Sequence, residues 1–210
     1  MCSIFGSFSK DKIVELAELN KYRGQHSYSY SYFYGGITGT EVNITKSLGE
    51  LPIDEIKIPE GAYCVAHMQA PTTDNKTIEF VHPAYKGGKL LWHNGIIKDH
   101  WVKSAMKEYN VDNSWDTYLI LHKYITTGSL DNIDGTFSCV YFGNGSLQLF
   151  RNEISPMFID EDYNISSTKF EGSKSLEPNI IWELRPGKGL TSIGSFKTVE
   201  NPYFFMDEVA

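Results

Sequence analysis

Cysteine is scarce in this protein. Three in 210 residues (Cys2, Cys64 and Cys139), odd in number and widely scattered, exclude a disulfide framework and point to a reducing compartment. Positive charge is short as well. Nineteen Lys and Arg stand against 26 Asp and Glu, a net charge of −7 with no basic stripe, which argues against a nucleic-acid partner. No run approaches the roughly 18 apolar residues needed to cross a bilayer, so no membrane partner is expected. The opening MCSIFGSFSK lacks the basic start and apolar stretch of a secretory signal. A cytoplasmic protein is the expectation. The six histidines show neither HxH nor HExxH spacing, so no metal site is expected either. Repeats at a fixed period and low-complexity linkers are also missing, which leaves a single folded domain. Its 41% apolar and 21% charged residues are ordinary for a globular protein.

What is present favours strands. Aromatic residues make up 14% of the sequence and recur with β-branched residues in short runs. Ser3 to Phe8 reads as a buried strand, and Ser9 as the cap of a helix over Lys10 to Tyr22. The Tyr/Ser alternation from Ser27 to Tyr34 has period two and reads as a strand ended by Gly35-Gly36. Tyr63 to His67 and Lys89 to Trp92 are further short strands, followed by helices over Lys98 to Tyr109 and Ser114 to Tyr124. Phe137 to Phe142, Leu147 to Arg151, Met157 to Asp160, Asn164 to Ser167 and Ile180 to Leu184 complete the strands. Asn144-Gly145 predicts a hairpin turn. Together these predict an α+β sandwich.

Three places carry possible chemistry. Removal of Met1 exposes a Cys2 with both a thiol and a free α-amine. The amine titrates near about 8 and the thiol near about 8.5, so the amine can take the thiol proton unaided. The alternative is a small apolar residue at a strand start. Cys64 and Cys139 lie inside apolar runs and read as core. At His93-Asn94-Gly95 an Asn-Gly step just after a strand sets an amide beside a freely oriented N–H, the two donors of an oxyanion hole; it also reads as a plain turn. Asp116 opens a helix, either complementing its dipole or gripping a substrate ammonium.

The order of these signals resembles a known family. Met1-Cys2-Ser3-Ile4-Phe5-Gly6 is similar to the opening Met-Cys-Gly-Ile-(Val/Phe)-Gly of the glutaminase domain of class II glutamine amidotransferases. These are N-terminal-nucleophile hydrolases that include asparagine synthetase and amidophosphoribosyltransferase. Tyr22-Arg23-Gly24-Gln25 resembles the Arg-Gly-Gln/Tyr segment, Ala66-His67 the start of Ala-His-x-Arg, and His93 to Ile97 the Asn-Gly motif. Asp116-Thr117 resembles the Asp-Thr-Glu helix start and Asp134 to Ser138 the Asp-Gly-x-Phe segment. Phe150-Arg151-Asn152 and Arg185-Pro186-Gly187-Lys188 resemble the later Arg-Asp and Pro-Gly-Glu elements.

The resemblance implies a four-layer αββα sandwich of two antiparallel sheets, with a glutaminase domain over residues 2–195 and a short tail over 196–210. It implies that Cys2 attacks a side-chain amide while Asn94 and Gly95 hold the oxyanion. Asp116 would take the substrate ammonium, Arg23 and Gly24 would support the pocket, and Gln69 with Thr72 would line the carboxylate end. No metal or organic cofactor is called for, and released ammonia would pass to a separate synthase partner. One departure stands out: Gln69 occupies the position of the carboxylate-binding arginine. Either another cation such as Lys76 fills the gap, or the substrate is a different γ-glutamyl or related amide, or the protein is a non-catalytic relative.

Overall fold

The computed structural model describes residues 2–34, 42–70, 77–185 and 189–199. Strand β1 (Ser3–Ser7) begins one residue after Cys2 and runs into helix α1 (Lys10–Asn20). The Ser9 hydroxyl accepts from the Lys12 N–H at 3.4 Å and caps that helix as expected. A 3₁₀ turn over Lys21–Arg23 follows. Next come β2 (Ser27–Tyr34), β3 (Val42–Leu48) and β4 (Ala62–Gln69). The second part of the sequence forms β5 (Ala84–Lys86), β6 (Lys89–Ile97), α2 (Asp99–Tyr109), α3 (Asp116–Thr127), β7 (Gly135–Gly143) and β8 (Ser146–Arg151). Three two-residue strands, β9 (Phe158–Ile159), β10 (Ile165–Ser166) and β11 (Lys174–Ser175), lead to β12 (Ile180–Arg185) and β13 (Gly189–Ser195).

The strands form two sheets, ordered β11-β9-β10-β1-β4-β2-β3 and β13-β12-β8-β7-β6-β5, and the pairings within them are antiparallel. Period-two alternation assigns each strand one face per residue parity. Ile4, Phe33, Tyr63 and Val65 of the first sheet meet Trp92, Val140, Phe142 and Leu149 of the second in the central core. Phe5, Tyr32, Cys64, Ala66 and Met68 turn outward against Ile13, Leu16 and Ala17 of α1. On the opposite side Leu91, Phe137, Cys139 and Phe150 pack under Val102, Leu119 and Ile120 of α2 and α3. The result is the four-layer αββα sandwich. In β2 the tyrosines take the α1 side and the buried Ser27, Ser29 and Ser31 face the other sheet, which brings that face close to its neighbour.

The structure corrects one reading and adds to others. Asn94-Gly95 is not a turn after a strand; it lies inside β6, paired with Ser138 and Phe137 of β7. Gly95 sits at φ +156°, and a Cβ there would meet the Thr136 carbonyl oxygen at 1.9 Å, so the strand continues only because the residue is glycine. The expected hairpin at Asn144-Gly145 is present, both residues having positive φ as a two-residue turn of this kind needs. Strands β3, β5, β11 and β13 contain no clear run of apolar residues, and the sequence alone does not predict them. Gly35-Gly36, Thr72, Lys76 and Pro186-Gly187-Lys188 lie outside the described residues.

Arg151, at the end of β8, is a buried cross-tie. Its Nε donates to the Leu176 carbonyl at 2.6 Å, Nη1 to the carbonyls of Asn152, Glu153 and Ser155, and Nη2 to the Ser175 hydroxyl. Asn152 beside it accepts from the N–H groups of Phe137, Ile154 and Ser155 and donates to the Gly135 carbonyl. Removing the guanidinium strands several acceptors at once. Arg151→Met should lower stability by about 2–4 kcal/mol, read as a fall in the urea midpoint at constant m-value.

Candidate active site

Cys2 emerges from β1 at the edge of the seam between the sheets. Its Sγ donates to the Ala70 carbonyl at 3.5 Å, and the Arg23 Nε donates to its carbonyl oxygen at 3.0 Å. Burial pushes the thiol up from its ordinary value, so at neutral pH it stays protonated until a base takes the proton. Gly24 lets two backbones close up: a Cβ there would stand 2.4 Å from the Gln69 carbonyl carbon. His26 then donates its N–H to the Gln69 carbonyl at 3.1 Å. This contact fixes the end of β4, and with it Gln69 and Ala70, against the segment that leads into β2.

Two cavities share Cys2, Gly95 and Ile96 in their walls. A cleft of about 460 Å³ is lined by Gln69, Phe80, His82, His93, Trp115, Asp116 and Thr117 as well. A smaller pocket of about 150 Å³ adds Arg23, Asn94, Thr136 and the Ile154-Ser155-Pro156 segment that Asn152 positions. The structure therefore brings Cys2, Gly95, Gln69 and Asp116 to one cleft and Asn94, Arg23 and Cys2 to the adjoining pocket. Thr72 lies outside the described residues.

Asp116 begins α3 and keeps 28% of its side-chain exposure, opening into the cleft. Burial opposes its ionisation, but the His93 ring 3.7 Å from Oδ2 and the Thr117 N–H 2.6 Å from Oδ1 outweigh that. They hold the carboxyl below its usual range, so it is an anion at neutral pH.

A buried relay connects it to Gln69. The Gln69 Nε2 donates to the Phe80 carbonyl at 3.3 Å, which turns Oε1 toward His82 Nδ1, 3.2 Å away. Two acceptors cannot face each other, so the His82 proton sits on Nδ1 and Nε2 accepts from the Thr117 hydroxyl at 3.0 Å. The Thr117 oxygen in turn lies 3.3 Å from His93 Nδ1. Lys46 of β3 braces the relay, its ammonium donating to the Val81 and Pro83 carbonyls on either side of His82, both at 2.6 Å. Burial lowers that lysine to about 8.

His67 stacks on His82 with ring centroids 4.0 Å apart, and its Nε2 donates to the His93 carbonyl at 3.2 Å, bridging the two sheets. Burial lowers His67 to about 3 and His82 well below the ordinary histidine value, so both rings are neutral. Sequence reasoning weighs both as metal ligands and places His67 in the Ala66-His67 block, and gives neither a part in the site. The usable signal is strand parity, which sets Val65, His67 and Gln69 on the inner face of β4. Among the described residues no group of three or more His, Cys, Asp or Glu is arranged to hold a metal ion. No helix among them is long and apolar enough to cross a membrane.

Two antiparallel sheets between helical layers give the four-layer fold that the sequence resemblance implies. No protein-family model matches the sequence, and no curated protein matches it. Among solved structures, glutamine phosphoribosylpyrophosphate (PRPP) amidotransferase from B. subtilis, complexed with ADP and GMP, superposes with a TM-score of 0.68 at 17% identity over 92% of this protein. A structure described as the allosteric regulatory enzyme of purine biosynthesis gives 0.69 at 16% identity over 92% of this protein. The match spans 49% of each of those longer proteins. At such identities the likeness shows the fold alone.

The neutral histidine pair has a measurable consequence. Each ring takes up a proton on unfolding at an ordinary value near 6.5 but resists it when folded, so stability is complete above that pH and falls below it. Urea denaturation should show a loss of about 1.0–1.4 kcal/mol per pH unit per histidine between pH 6 and 5, where most carboxylates are still ionised. A flat profile in that window would show that the pair is charged in the fold.

Proposed function

We propose that the protein is a glutaminase-type amidohydrolase that cleaves the side-chain amide of glutamine or a related molecule through a thioester on Cys2. The observation that carries this is the convergence on one thiol: Cys2 faces an anion, Asp116, across the cleft and has Asn94 and Gly95 beside it in the adjoining pocket. A thiol kept protonated by burial needs a local base, and the α-amine of Cys2, present once Met1 is removed, is attached to the same residue.

In this reading Asp116 holds the substrate ammonium, and the carboxamide carbon lies against Sγ. The α-amine takes the thiol proton as sulfur attacks. The Asn94 amide and the Gly95 N–H receive the oxyanion of the tetrahedral intermediate. The protonated amine then delivers a proton to the departing ammonia, leaving an acyl thioester. Water, deprotonated by the same amine, adds to the thioester, and the thiol is expelled with the acid product. Arg23 fixes the backbone of Cys2, and Gly24 allows the strands to meet beneath it. The ammonia passes to an acceptor on a separate partner, as in the amidotransferase resemblance, or leaves as a product.

Met1 removal and Cys2 should both be indispensable. Cys2→Ser, or a variant shown by intact mass to retain Met1, should lose more than about a thousand-fold of amide hydrolysis, while Cys64→Ala and Cys139→Ala keep the rate once stability is allowed for. A glutamine-analogue diazo-ketone should add once, at Cys2, by peptide mapping. Asn94→Ala should cut kcat by about a hundred- to a thousand-fold and move KM far less, because its amide acts on charge that exists only in the transition state. An unchanged kcat would leave the Asn-Gly step a purely structural feature.

A further inference from the structure

Free glutamine carries an ammonium and a carboxylate on one carbon. If the ammonium sits at Asp116, the carboxylate is forced against the neighbouring wall, and among the described residues that wall holds no Lys or Arg. The Thr117 N–H is given to Asp116, the Thr117 hydroxyl to His82, the His82 Nδ1–H to Gln69, and one Gln69 N–H to the Phe80 carbonyl. Among the described residues, neutral groups such as the second amide N–H of Gln69 and the Ser114 hydroxyl remain, far weaker for a carboxylate than a charge-assisted pair. The carboxylates among the described lining residues are Asp116, which His93 faces at 3.7 Å, and Asp99. Asp99 is tied to Lys103 at 2.5 Å, and both of those residues stand largely in solvent.

One side of the described wall is apolar. The Phe80 and Trp115 rings meet edge-to-face at 5.7 Å, and Ile96, Ile97 and Val102 continue the surface. Such a wall accepts a neutral continuation of the substrate and repels an anion that would have to shed its water against it.

Resting on the glutaminase reading above, we propose that the substrate is a glutaminyl residue whose α-amine is free and whose α-carboxyl is bound in an amide, as at the N-terminus of a peptide. The ammonium pairs with Asp116. The peptide bond lies against Gln69 as a neutral dipole, and the following residue lies along Phe80 and Trp115. The overall reaction is glutaminyl peptide plus water giving glutamyl peptide plus ammonia. The bond between carbon and nitrogen of the substrate's side-chain amide breaks after the bond from sulfur to that carbon forms, and water then replaces sulfur.

The test compares ammonia release by the full-length protein, with Met1 removal verified by intact mass, from three substrates: L-glutamine, glutaminyl-glycine and glycyl-glutamine. Product masses confirm side-chain deamidation. The expected result is a kcat/KM for glutaminyl-glycine at least ten-fold above that for glutamine, with glycyl-glutamine, whose amine is blocked, inert. Gln69→Arg should narrow or reverse the preference by favouring glutamine. Glutamine turned over as well as or better than glutaminyl-glycine overturns the inference and leaves the glutaminase reading standing. A Lys76→Ala variant that raises KM for glutamine alone overturns it as well, because a lysine would then be serving a carboxylate. No ammonia from any of the three, together with no covalent labelling of Cys2, overturns both.

Discussion

The seam between the two sheets is set by the hydrogen bond from the His67 N–H to the His93 carbonyl. Elsewhere the sheets are held apart by large side groups such as Phe33, Trp92 and Phe142. At the open end the packing thins to serines, glycine and a histidine, and the backbones approach. That approach brings a cysteine from the first sheet beside an Asn-Gly pair from the second. It also explains why His67 stays neutral. Burial disfavours the charged ring, and the neutral one donates to a carbonyl. Cleft, pocket and relay all hang from this closure.

The acid at the head of α3 is held by a series of neutral groups. Gln69, His82 and Thr117 each give a proton to the next acceptor in line, and Lys46 clamps the backbone on both sides of His82. A series of this kind fixes rotamers through uncharged groups, while Asp116, held as an anion beside His93, opens into the cleft. Rigidity and charge are thus supplied by different residues.

Much of this is legible in the sequence because it is local. The Ser9 cap, the Tyr/Ser alternation of β2, the Asn144-Gly145 turn and the amphipathic helices follow from periods and capping chemistry within a few residues. Asn94-Gly95 reads wrongly as a turn for the same reason: by local rules Asn-Gly ends a strand, and only the Thr136 carbonyl across the ladder shows why this one continues. The His82–Thr117 contact spans 35 residues and His67–His93 spans 26, and no window of sequence encodes either. Strand β13, rich in glycine and serine, is held by its ladder with β12 rather than by its own propensity.

The protein has two Asn-Gly steps, and their settings are opposite. Asn144 is exposed at a hairpin tip with both residues of the step at positive φ, whereas Asn94 is buried and its backbone is locked into β6. Spontaneous deamidation needs the glycine nitrogen to swing onto the amide carbonyl of the asparagine and close a five-membered ring. The turn can reach that geometry and the paired strand cannot. Of the two steps, Asn144 is therefore the one that deamidates, adding a negative charge at the hairpin tip. The buried asparagine of β6 is shielded by the ladder that holds its backbone in the strand.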